Sequence, residues 1–491
     1  MNCIAQVLEK ITIIFKHLQR GGLVLATEER IEVTAPFDGT VIGHVKVSNA
    51  DDVETALSRA HALYRDRDAW IPLHKRLDIL RRAAEIIKER REDLALQSAR
   101  EGGKPLADSL AELDRAADGV ENCVEVMRAE SGQVIPMGLN TPSLGKVAFT
   151  QREPIGVVVA VSAFNHPFNL IVHQVTPAVA TGCPVIVKPA DITPMSCLAF
   201  VDILHEAGLP AEWCQVVLPT DLNIASSLVA DPRNAFFSFI GSSKVGWMLR
   251  SKLAPGTRCA LEHGGAAPVI FAEDADMETA VPKLAKGGFY HAGQVCVSVQ
   301  RIFAHESVAK KLAHAIGVAG NEMVVGDPAT METEVGPLIR SAEIDRVHDW
   351  VSKAIDQGAE LISGGEKLLG SCYKPTVLYN PPADSEVSTQ EIFGPVICVY
   401  SYSDMDEAIS RANSLEVAFQ AAVFTKDIDT AMKAYKRLDG TAIMVNDHTA
   451  FRVDWMPFAG ARHSGHGVGG IPHTIHEMQI EKMMVLSSGE L

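Results

Sequence analysis

The spacing of apolar residues changes part-way along the chain. Between about residues 51 and 130, apolar residues recur at three- and four-residue intervals, as in "VETALSRAHALY" (53–64) and "RLDILRRAAEIIKERREDLALQSAR" (76–100). This spacing places the apolar residues on one side of a helix, so it predicts amphipathic helices packed on a larger body. From residue 156, short apolar runs alternate with helical segments.

Five apolar runs after residue 156 predict five buried strands. They are "GVVVAVS" (156–162), "PVIVKP" (184–189), "CQVVLP" (214–219), "AFFSFIG" (235–241) and "RCALEHGG" (258–265). Near-continuous apolar strands separated by helices indicate a parallel sheet covered on both faces. Such sheets bind ligands beyond the carboxyl ends of their strands. The pattern therefore predicts an α/β fold.

A second alternation of strands and helices runs from about residue 268 to 446 and predicts another α/β domain. Its strands include "VQRIFAH" (299–305), "PVICVYSYS" (395–403), "FQAAVFT" (419–425) and "TAIMVND" (441–447). Between the helices and the first sheet, residues 131–154 are rich in Gly and Pro and contain two strand-like pieces, which predicts a protruding hairpin. We expect the tail, residues 478–491, to pair with such a hairpin on a neighbouring subunit.

Composition narrows the class of protein. With 491 residues, 47% hydrophobic and 22% charged, the chain has the balance of a folded globular protein of two to four domains. A net charge of −16 argues against nucleic-acid or anionic-membrane partners. Glu9, Lys10 and Lys16 interrupt the apolar N-terminus, so we interpret it as neither signal peptide nor anchor. Nine cysteines without a C-x-x-C pair indicate a reducing cytoplasm and no cysteine metal site.

Residues with useful chemistry follow the first two predicted strands. Asn165 lies at a strand-to-helix turn, where its amide can donate to an oxyanion or cap the next helix. Lys188 and Asp191 follow the second strand, where an adenosine ribose lies in a nucleotide-binding sheet; solvated surface charge is the alternative. An acid at this place disfavours a 2′-phosphate, so NAD is preferred to NADP.

The later strand ends carry further candidates. Gly241 and Ser242 open a helix whose N–H groups can hold a pyrophosphate, although no G-x-G-x-x-G fingerprint occurs. Glu262 ends the fifth strand before two glycines and can serve as a general base. Cys296 follows "GGFYHAGQV", and a glycine-bearing turn leaves room for a ligand to approach a nucleophilic thiol. Each residue alone is more often structural.

The combination of motifs is more specific than any single residue. The chain contains "LEHGG" (261–265), "GQVCVSVQR" (293–301), "EIFGPV" (391–396) and "MPFAGARHSGHG" (456–467), in this order. From about residue 31 onward the sequence resembles the aldehyde dehydrogenase superfamily. The resemblance implies the fold of that family: a Rossmann-like NAD-binding domain (1–131 and 154–262), an α/β catalytic domain (263–463) and a β-hairpin oligomerisation element (132–153 and 464–491). It also implies a homodimer or homotetramer.

The resemblance implies a role for each candidate. Cys296 would add to the aldehyde carbon, Asn165 would hold the oxyanion, and Glu262 would activate the water that hydrolyses the thioester. The residues that match cofactor contacts are Lys188 and Asp191 at the adenine ribose, Ser242 (with Gly241) at the pyrophosphate, and Glu391 and Phe393 at the nicotinamide ribose and ring. NAD is the implied cofactor, NADP less so.

The substrate is implied more weakly. Arg115, His166 and Arg452 match positions that line the substrate tunnel in the family, and together they favour a carboxylate, sulfonate or phosphonate aldehyde. This set is similar to that of phosphonoacetaldehyde dehydrogenases, with further likeness to lactaldehyde and succinate-semialdehyde dehydrogenases. The alternative pairs Arg115 with Asp118 or Glu112, and Arg452 with Asp454. The glutamate motif differs from the usual family sequence at two positions. His263 and Ala266 replace the leucine and the lysine that usually follow the glutamate.

Three other interpretations remain at this point. The substrate can be a small neutral or hydroxy aldehyde such as lactaldehyde. The chain can be a non-enzymatic NAD-binding scaffold on the same fold, against which the presence of Cys296, Glu262, Asn165 and Lys188 counts. The acceptor can be CoA instead of water, although the members of that branch usually lack the glutamate matched by Glu262.

Overall fold

The computed structural model describes residues 29–490. It begins with an antiparallel pair, β1 (Arg30–Thr34) and β2 (Val41–Lys46). Four helices follow as predicted: α1 (Ala50–Arg65), α2 (Leu73–Glu89), α3 (Arg91–Gly102) and α4 (Leu106–Ala129). Helix α3 ends because Gly103 adopts a left-handed φ of +76°. The prediction that the N-terminus is neither signal peptide nor anchor lies outside the described residues.

The first sheet has the predicted parallel arrangement. After β3 (Val134–Ile135) and β4 (Lys146–Pro154), it contains β5 (Val157–Val161), β6 (Val185–Lys188), β7 (Cys214–Val216), β8 (Asn234–Ile240) and β9 (Arg258–Glu262). The intervening helices are α5 (Asn169–Thr181), α6 (Pro194–Glu206), α7 (Leu222–Ala230) and α8 (Ser243–Arg250). The spatial order β7-β6-β5-β8-β9 reverses direction between β5 and β8. Ligands bind at such a switch point in open α/β sheets.

Helices cover both faces of this sheet, which explains its near-continuous apolar strands. Val158 and Ala160 of β5 lie in a core shared with α2 to α6. Val157 and Val159 lie in a second core with residues of α1 and α7. Successive side chains of a strand point to opposite faces, so each face needs its own apolar partners.

The second sheet lies in the later part of the chain. Its strands are β10 (Ala267–Phe271), β11 (Val299–His305), β12 (Glu360–Ser363), β13 (Thr376–Tyr379), β14 (Val396–Tyr402), β16 (Gln420–Phe424) and β17 (Ala442–Val445), while β15 (Val417–Ala418) pairs with β18 (Ala461–Arg462). The helices are α9 (Met277–Phe289), α10 (Ala309–Glu322), α11 (Ser341–Asp356), α12 (Glu386–Thr389), α13 (Met405–Ala412) and α14 (Ile428–Arg437). All neighbouring strands are parallel except β12 and β13.

The C-terminal segment corrects one expectation. Strand β19 (Gly465–His466) extends the first sheet beside β9, and α15 (Ile471–Glu477) buries Ile471 and Ile475 in its core. The chain then continues into β20 (Gln479–Ser487), which pairs antiparallel with β4 of the same chain. The expectation that the tail pairs with a neighbouring subunit's hairpin is wrong, because α15 brings the tail directly to its own hairpin.

The predicted α/β class is confirmed by the two parallel sheets and their covering helices. None of the helices within residues 29–490 is long and apolar enough to cross a membrane. The domain boundaries drawn from the resemblance stay a prediction. The three-stranded sheet β20-β4-β3 stands apart from both parallel sheets in its hydrogen bonding.

Candidate active site

The carboxyl ends of the first sheet's strands carry the candidates named from the sequence. Lys188 is the last residue of β6, and Glu262 is the last residue of β9. Asn165 follows β5, while Gly241 and Ser242 follow β8. Because parallel strands end at one edge, these residues line the edge at which the strand order reverses.

The adenosine end of the site is open to a dinucleotide. Lys188 Nζ lies 2.5 Å from Asp191 Oδ1, so the two charges pair with each other. Ser242 precedes α8 without a side-chain capping bond, which leaves the helix N–H groups available to an anion. A Cβ atom on Gly241 would stand 2.9 Å from the Phe239 ring, so this turn excludes a side chain. The groups present fit a ribose and a pyrophosphate.

The nicotinamide end contains a buried carboxyl group. Glu391 Oε1 accepts a hydrogen bond from Gly265 N at 3.1 Å, and any side chain on Gly264 would overlap this carboxyl. Burial raises the pKa of Glu391 to about 8, so it is protonated at neutral pH and can both donate and accept. Phe393 has a left-handed φ of +47° and meets Phe164 edge to face at 5.8 Å. The Glu391 carboxyl suits contact with a ribose, and the Phe393 ring suits contact with another aromatic ring.

The nucleophile candidate follows an unusual turn. His291, Ala292 and Gly293 have successive left-handed φ angles of +50°, +53° and +68°. For the two non-glycine residues this conformation costs on the order of 1–3 kcal/mol each, so the surrounding structure must impose it. A Cβ on Gly293 would overlap the carbonyl of Gly394, so this position requires glycine. Cys296 then packs beside an apolar cluster of Val295, Val297, Phe419 and Phe458.

Asn165 joins the first sheet to the nucleophile loop. Its Nδ2 donates to the carbonyl of Gln294 at 2.9 Å, next to the segment that carries Cys296. The interpretation of Asn165 as a helix cap is wrong, because Phe168 precedes the first turn of α5 and the carboxylate of Glu112 accepts from Phe168 N and Asn169 N there. The amide is therefore held at the nucleophile, where it can orient an oxyanion.

The surroundings of Cys296 keep its thiol protonated, so a reaction at its sulfur needs a proton acceptor. Burial, with a smaller contribution from the charge of Glu262, raises the pKa of Cys296 to about 12 against the opposing charge of Arg452. The thiol is therefore protonated at neutral pH. Burial also raises the pKa of Glu262 above its usual value, which brings it closer to the range that suits a general base.

Arg115 forms its ion pair with a residue from a distant part of the chain and not with an acidic residue of its own helix. Its guanidinium contacts both carboxylate oxygens of Asp454, with the shorter N–O distance 2.7 Å. The alternative partners Asp118 and Glu112 are therefore wrong. Asp454 also accepts from His173 Nε2 at 2.7 Å and from Asn169 Nδ2 at 3.3 Å.

Arg452 packs against an aromatic ring and a histidine. Its guanidinium stacks on Phe458, 3.6 Å from the ring centroid, and Nη2 lies 3.4 Å from His173 Nδ1. Within residues 29–490 no carboxylate forms an ion pair with it, so the expected Arg452–Asp454 pair is wrong. Arg452 nevertheless interacts electrostatically with Glu262 and Cys296, which places its charge at the reaction centre.

His166 lies on the same side of the site. Its Nε2 is 2.5 Å from the hydroxyl of Tyr290, and the pKa of His166 is well below its usual value because the ring is buried. It is therefore neutral near pH 7. The charges of Arg115 and Arg452 lower its pKa further, so the structure brings the three proposed substrate residues together.

The sequence matches the Aldehyde dehydrogenase family over residues 24–484. The chain belongs to the aldehyde dehydrogenase family. It is accordingly a nicotinamide-dependent aldehyde dehydrogenase, and the interpretation as a non-enzymatic scaffold is not needed. Within residues 29–490, no group of three or more His, Cys, Asp or Glu side chains is placed to hold a metal ion.

Known relatives of this aldehyde dehydrogenase act on small aldehydes. It is 35% identical over 461 residues to a 3-sulfolactaldehyde dehydrogenase of Priestia aryabhattai, covering 94% of this chain and 96% of the relative. It is 33% identical over 463 residues to a lactaldehyde dehydrogenase of Methanocaldococcus jannaschii, covering 94% and 98%. Among solved structures, aldehyde dehydrogenase 21 from Physcomitrella patens, in complex with the reaction product succinate, has a TM-score of 0.91 at 31% identity, covering 95% and 97%.

His263, which replaces the usual leucine of this aldehyde dehydrogenase's glutamate motif, faces away from the reaction centre. Its Nδ1 lies 3.0 Å from the carbonyl of Gly241, and its ring packs against Trp247. Any side chain on Gly246 would overlap the ring. Because neighbouring strand residues point to opposite faces, His263 contacts α8 and leaves Glu262 on the other side.

Sequence reasoning missed several groups of this aldehyde dehydrogenase. Asp454 was considered only as a partner of Arg452, and Tyr290 was not singled out. Gly469 lies against Glu262, since a Cβ there would overlap Glu262 Oε1. The only available signal was the glycine pair that follows the C-terminal motif, "GVGG" (467–470), and it does not name a partner.

Proposed function

We propose that this aldehyde dehydrogenase oxidises a small anionic aldehyde to the carboxylic acid with NAD. The observation that carries the proposal is Arg452: a cation with no acidic partner among residues 29–490, electrostatically coupled to Cys296 and Glu262. An anionic group on the substrate would pair with this guanidinium and bring the aldehyde carbon to the thiol. The named substrate of the 3-sulfolactaldehyde dehydrogenase relative carries such a group.

The first chemical step uses the nucleophile loop. Cys296 Sγ forms a bond to the aldehyde carbon, the carbonyl oxygen becomes an oxyanion, and the thiol proton passes to a water molecule at the site, which leaves Glu262 free for the second step. Asn165 Nδ2, held next to the nucleophile loop by its bond to the Gln294 carbonyl, is available to stabilise the oxyanion. A bound nicotinamide cofactor would supply the hydride acceptor, and loss of the hydride from the adduct carbon would leave a thioester on Cys296.

The second step is hydrolysis of the thioester. Glu262 takes a proton from water, the water oxygen bonds to the thioester carbon, and the carbon–sulfur bond breaks to release the acid. The raised pKa of Glu262 suits this role because the group must be a base at working pH and then return its proton. Retention of this glutamate supports water over CoA as the acceptor.

Cofactor choice is expected to depend on Asp191. Its carboxylate lies at the end of β6, ion-paired with Lys188, where it would repel a 2′-phosphate. Replacing Asp191→Ser should raise the ratio of kcat/KM for NADP to that for NAD by about tenfold or more, which corresponds to about 1.4 kcal/mol. Asp191→Glu keeps the charge and should leave the ratio low. An unchanged ratio in Asp191→Ser would remove this residue from the ribose site.

Loss of Arg452 is expected to remove the preference for anionic aldehydes. With Arg452→Gln, kcat/KM for sulfoacetaldehyde and succinate semialdehyde should fall about 10- to 100-fold, since hydrogen bonds to charged groups contribute about 1.5–3 kcal/mol. Propanal, a neutral aldehyde of similar size, should be affected much less. NADH formation with each aldehyde measures both ratios.

Arg452→Lys provides the matched control. It keeps the charge but not the planar fork, so we expect an intermediate preference. If Arg452→Gln lowers kcat equally for anionic and neutral aldehydes, Arg452 acts on the thiol or on Glu262 instead of on the substrate. If the wild-type enzyme prefers neutral aldehydes, the anionic assignment is wrong.

A small hydroxy aldehyde is the second candidate substrate. The lactaldehyde dehydrogenase relative supports it, as does the neutral His166–Tyr290 pair, which can donate to a hydroxyl group. In this alternative, Arg452 serves only to balance the charges of Cys296 and Glu262. The aldehyde comparison described for Arg452→Gln separates the two candidates.

We further propose that the three-stranded sheet is an oligomerisation element. Four consecutive residues of β20, Met483 to Leu486, are each about half exposed, so apolar side chains reach solvent on both faces of an edge strand. A second copy of the chain would cover them, in a homodimer or homotetramer. A cytoplasmic location is also proposed, supported by the eight described cysteines, all of which are free thiols.

A further inference from the structure

Most cationic side chains beside the proposed substrate pocket form ion pairs with Asp or Glu side chains, which neutralise their charge. Three ion pairs surround the His166 and Tyr290 side of the site, and each pair sums to zero charge. They are Lys104 with Glu112, Lys286 with Asp108 and Arg115 with Asp454, the last two with N–O distances of 2.7 Å. None of these cations is therefore free to neutralise a ligand.

Asp454 is a permanent counter-charge. Its side chain is 2% exposed and accepts from Arg115, His173 and Asn169. Burial alone would raise the pKa of Asp454, but the hydrogen bonds from His173 and Arg115 and the charge of Arg115 hold it far below its usual range, so the carboxylate stays ionised at every working pH. The charge of Arg115 is therefore cancelled whatever substrate is present.

The histidines of the pocket add no charge. Burial lowers the pKa of His166 well below its usual value and that of His173 to about 4, so both rings are neutral near pH 7. Val295, which precedes the nucleophile, is a buried apolar residue. The remaining cation is Arg452, which keeps its charge because a guanidinium is not deprotonated in proteins.

The charged groups that face Arg452 set the net charge of the pocket. They are Glu262, Cys296, Asp454, Arg115 and His173. Asp454 and Arg115 cancel, while Cys296 and His173 are neutral near pH 7. The pocket therefore carries one positive charge when Glu262 is protonated and none when it is ionised.

From this arrangement we infer that the enzyme selects a monoanionic aldehyde, a sulfonate or carboxylate, against a dianionic phosphonate or phosphate. The inference rests on the proposed function and deepens it. Because the pocket carries at most one net positive charge, it matches at most one negative charge, and the second charge of a dianion would be desolvated without a partner. Asp454 is the specificity-determining residue, because without it Arg115 would supply the second cation.

The decisive experiment compares sulfoacetaldehyde with phosphonoacetaldehyde on the wild-type enzyme. The two aldehydes are close in size, but the second ionisation of a phosphonate lies near neutral pH while a sulfonate stays a monoanion. Between about pH 8 and about pH 6, the ratio of kcat/KM for the phosphonate to that for the sulfonate should rise about tenfold as the monoanion forms. Effects of pH on the enzyme that act equally on both anions cancel in this ratio.

The outcomes of that comparison distinguish failure of the charge selection from failure of the proposed function. A ratio that is flat, or that falls toward acid pH, overturns the charge selection while leaving the preference for anions over propanal intact. If neither anion is preferred over propanal at any pH, the proposed function fails first, and the inference fails with it.

A variant tests the residue itself. Asp454→Asn frees the charge of Arg115 and is expected to raise the same ratio at about pH 8 by about tenfold, whatever its effect on overall rate. Asp118→Asn is the control, since it removes a carboxylate from the exposed face of α4 that Arg115 does not contact. A folded Asp454→Asn enzyme with an unchanged ratio would show that Asp454 does not set the selection. If this variant does not fold, the wild-type pH comparison still decides.

Discussion

Replacing Cys296→Ala is expected to reduce aldehyde oxidation by about ten-thousand-fold or more, because no other group at the site can form the covalent adduct. Steady-state NADH formation with sulfoacetaldehyde, succinate semialdehyde and propanal measures the loss. Cofactor affinity should be preserved, since the ribose and pyrophosphate contacts lie on other strands. Quenching of tryptophan fluorescence by NAD checks this independently of turnover.

Cys259 provides the matched control for the nucleophile. Among the eight described cysteines, Cys259 and Cys296 are the two that are not fully buried. Cys259→Ala should retain activity, and alkylation of Cys296 by iodoacetamide should become faster as pH rises, because burial keeps the thiol protonated near neutrality. Equal loss of activity in both cysteine variants would argue against Cys296 as the sole nucleophile.

Replacing Glu262→Gln is expected to separate the two chemical steps. Without a base for water, turnover should fall about 100- to 10,000-fold, while the thioester still forms once on each subunit. Rapid mixing should then show a burst of NADH close to one equivalent per chain, followed by almost no further turnover. Mass measurement of the quenched protein should show the acyl group on Cys296.

Gly469 gives a second way to test this step. A Cβ at this position would overlap Glu262 Oε1, so Gly469→Ala must displace the carboxyl without changing its chemistry. We expect the same burst with slow hydrolysis. Gly326→Ala, where the nearest atom to the added Cβ is 3.6 Å away, controls for the loss of glycine itself. Absence of a burst in Glu262→Gln would mean that Glu262 is required before hydride transfer.

The local pattern of the chain was sufficient for the secondary structure around the site. Residues 299–305 form a strand with the predicted bounds, and six of its seven side chains are buried, the polar Gln300 and Arg301 among them. The predicted strand 184–189 corresponds to Val185–Lys188, which leaves Lys188 at the carboxyl end. Parallel packing then determines that strand-end residues share one edge.

The sequence also supplied the candidate nucleophile and its neighbours, but not their geometry. "GGFYHAGQV" indicates a turn before Cys296, yet the left-handed His291 and Ala292 run against their own backbone preferences. Only contacts with the rest of the structure impose such a conformation. The bond from Asn165 to the Gln294 carbonyl joins residues 129 positions apart, which no local pattern encodes.

The sequence by itself determined the α/β class, the nine strands named from their apolar runs, and the candidate residues for a thiol nucleophile, a base and a nucleotide site. Only the tertiary structure determined which charged side chains at the site form ion pairs with each other. Arg115 and Asp454 are separated by 339 positions, and residue types alone allowed several partners for each of them. Helix α15 likewise decided that the tail joins its own hairpin. Apolar periodicity is a local property of the chain, whereas the pairing of buried charges depends on which elements the fold brings into contact.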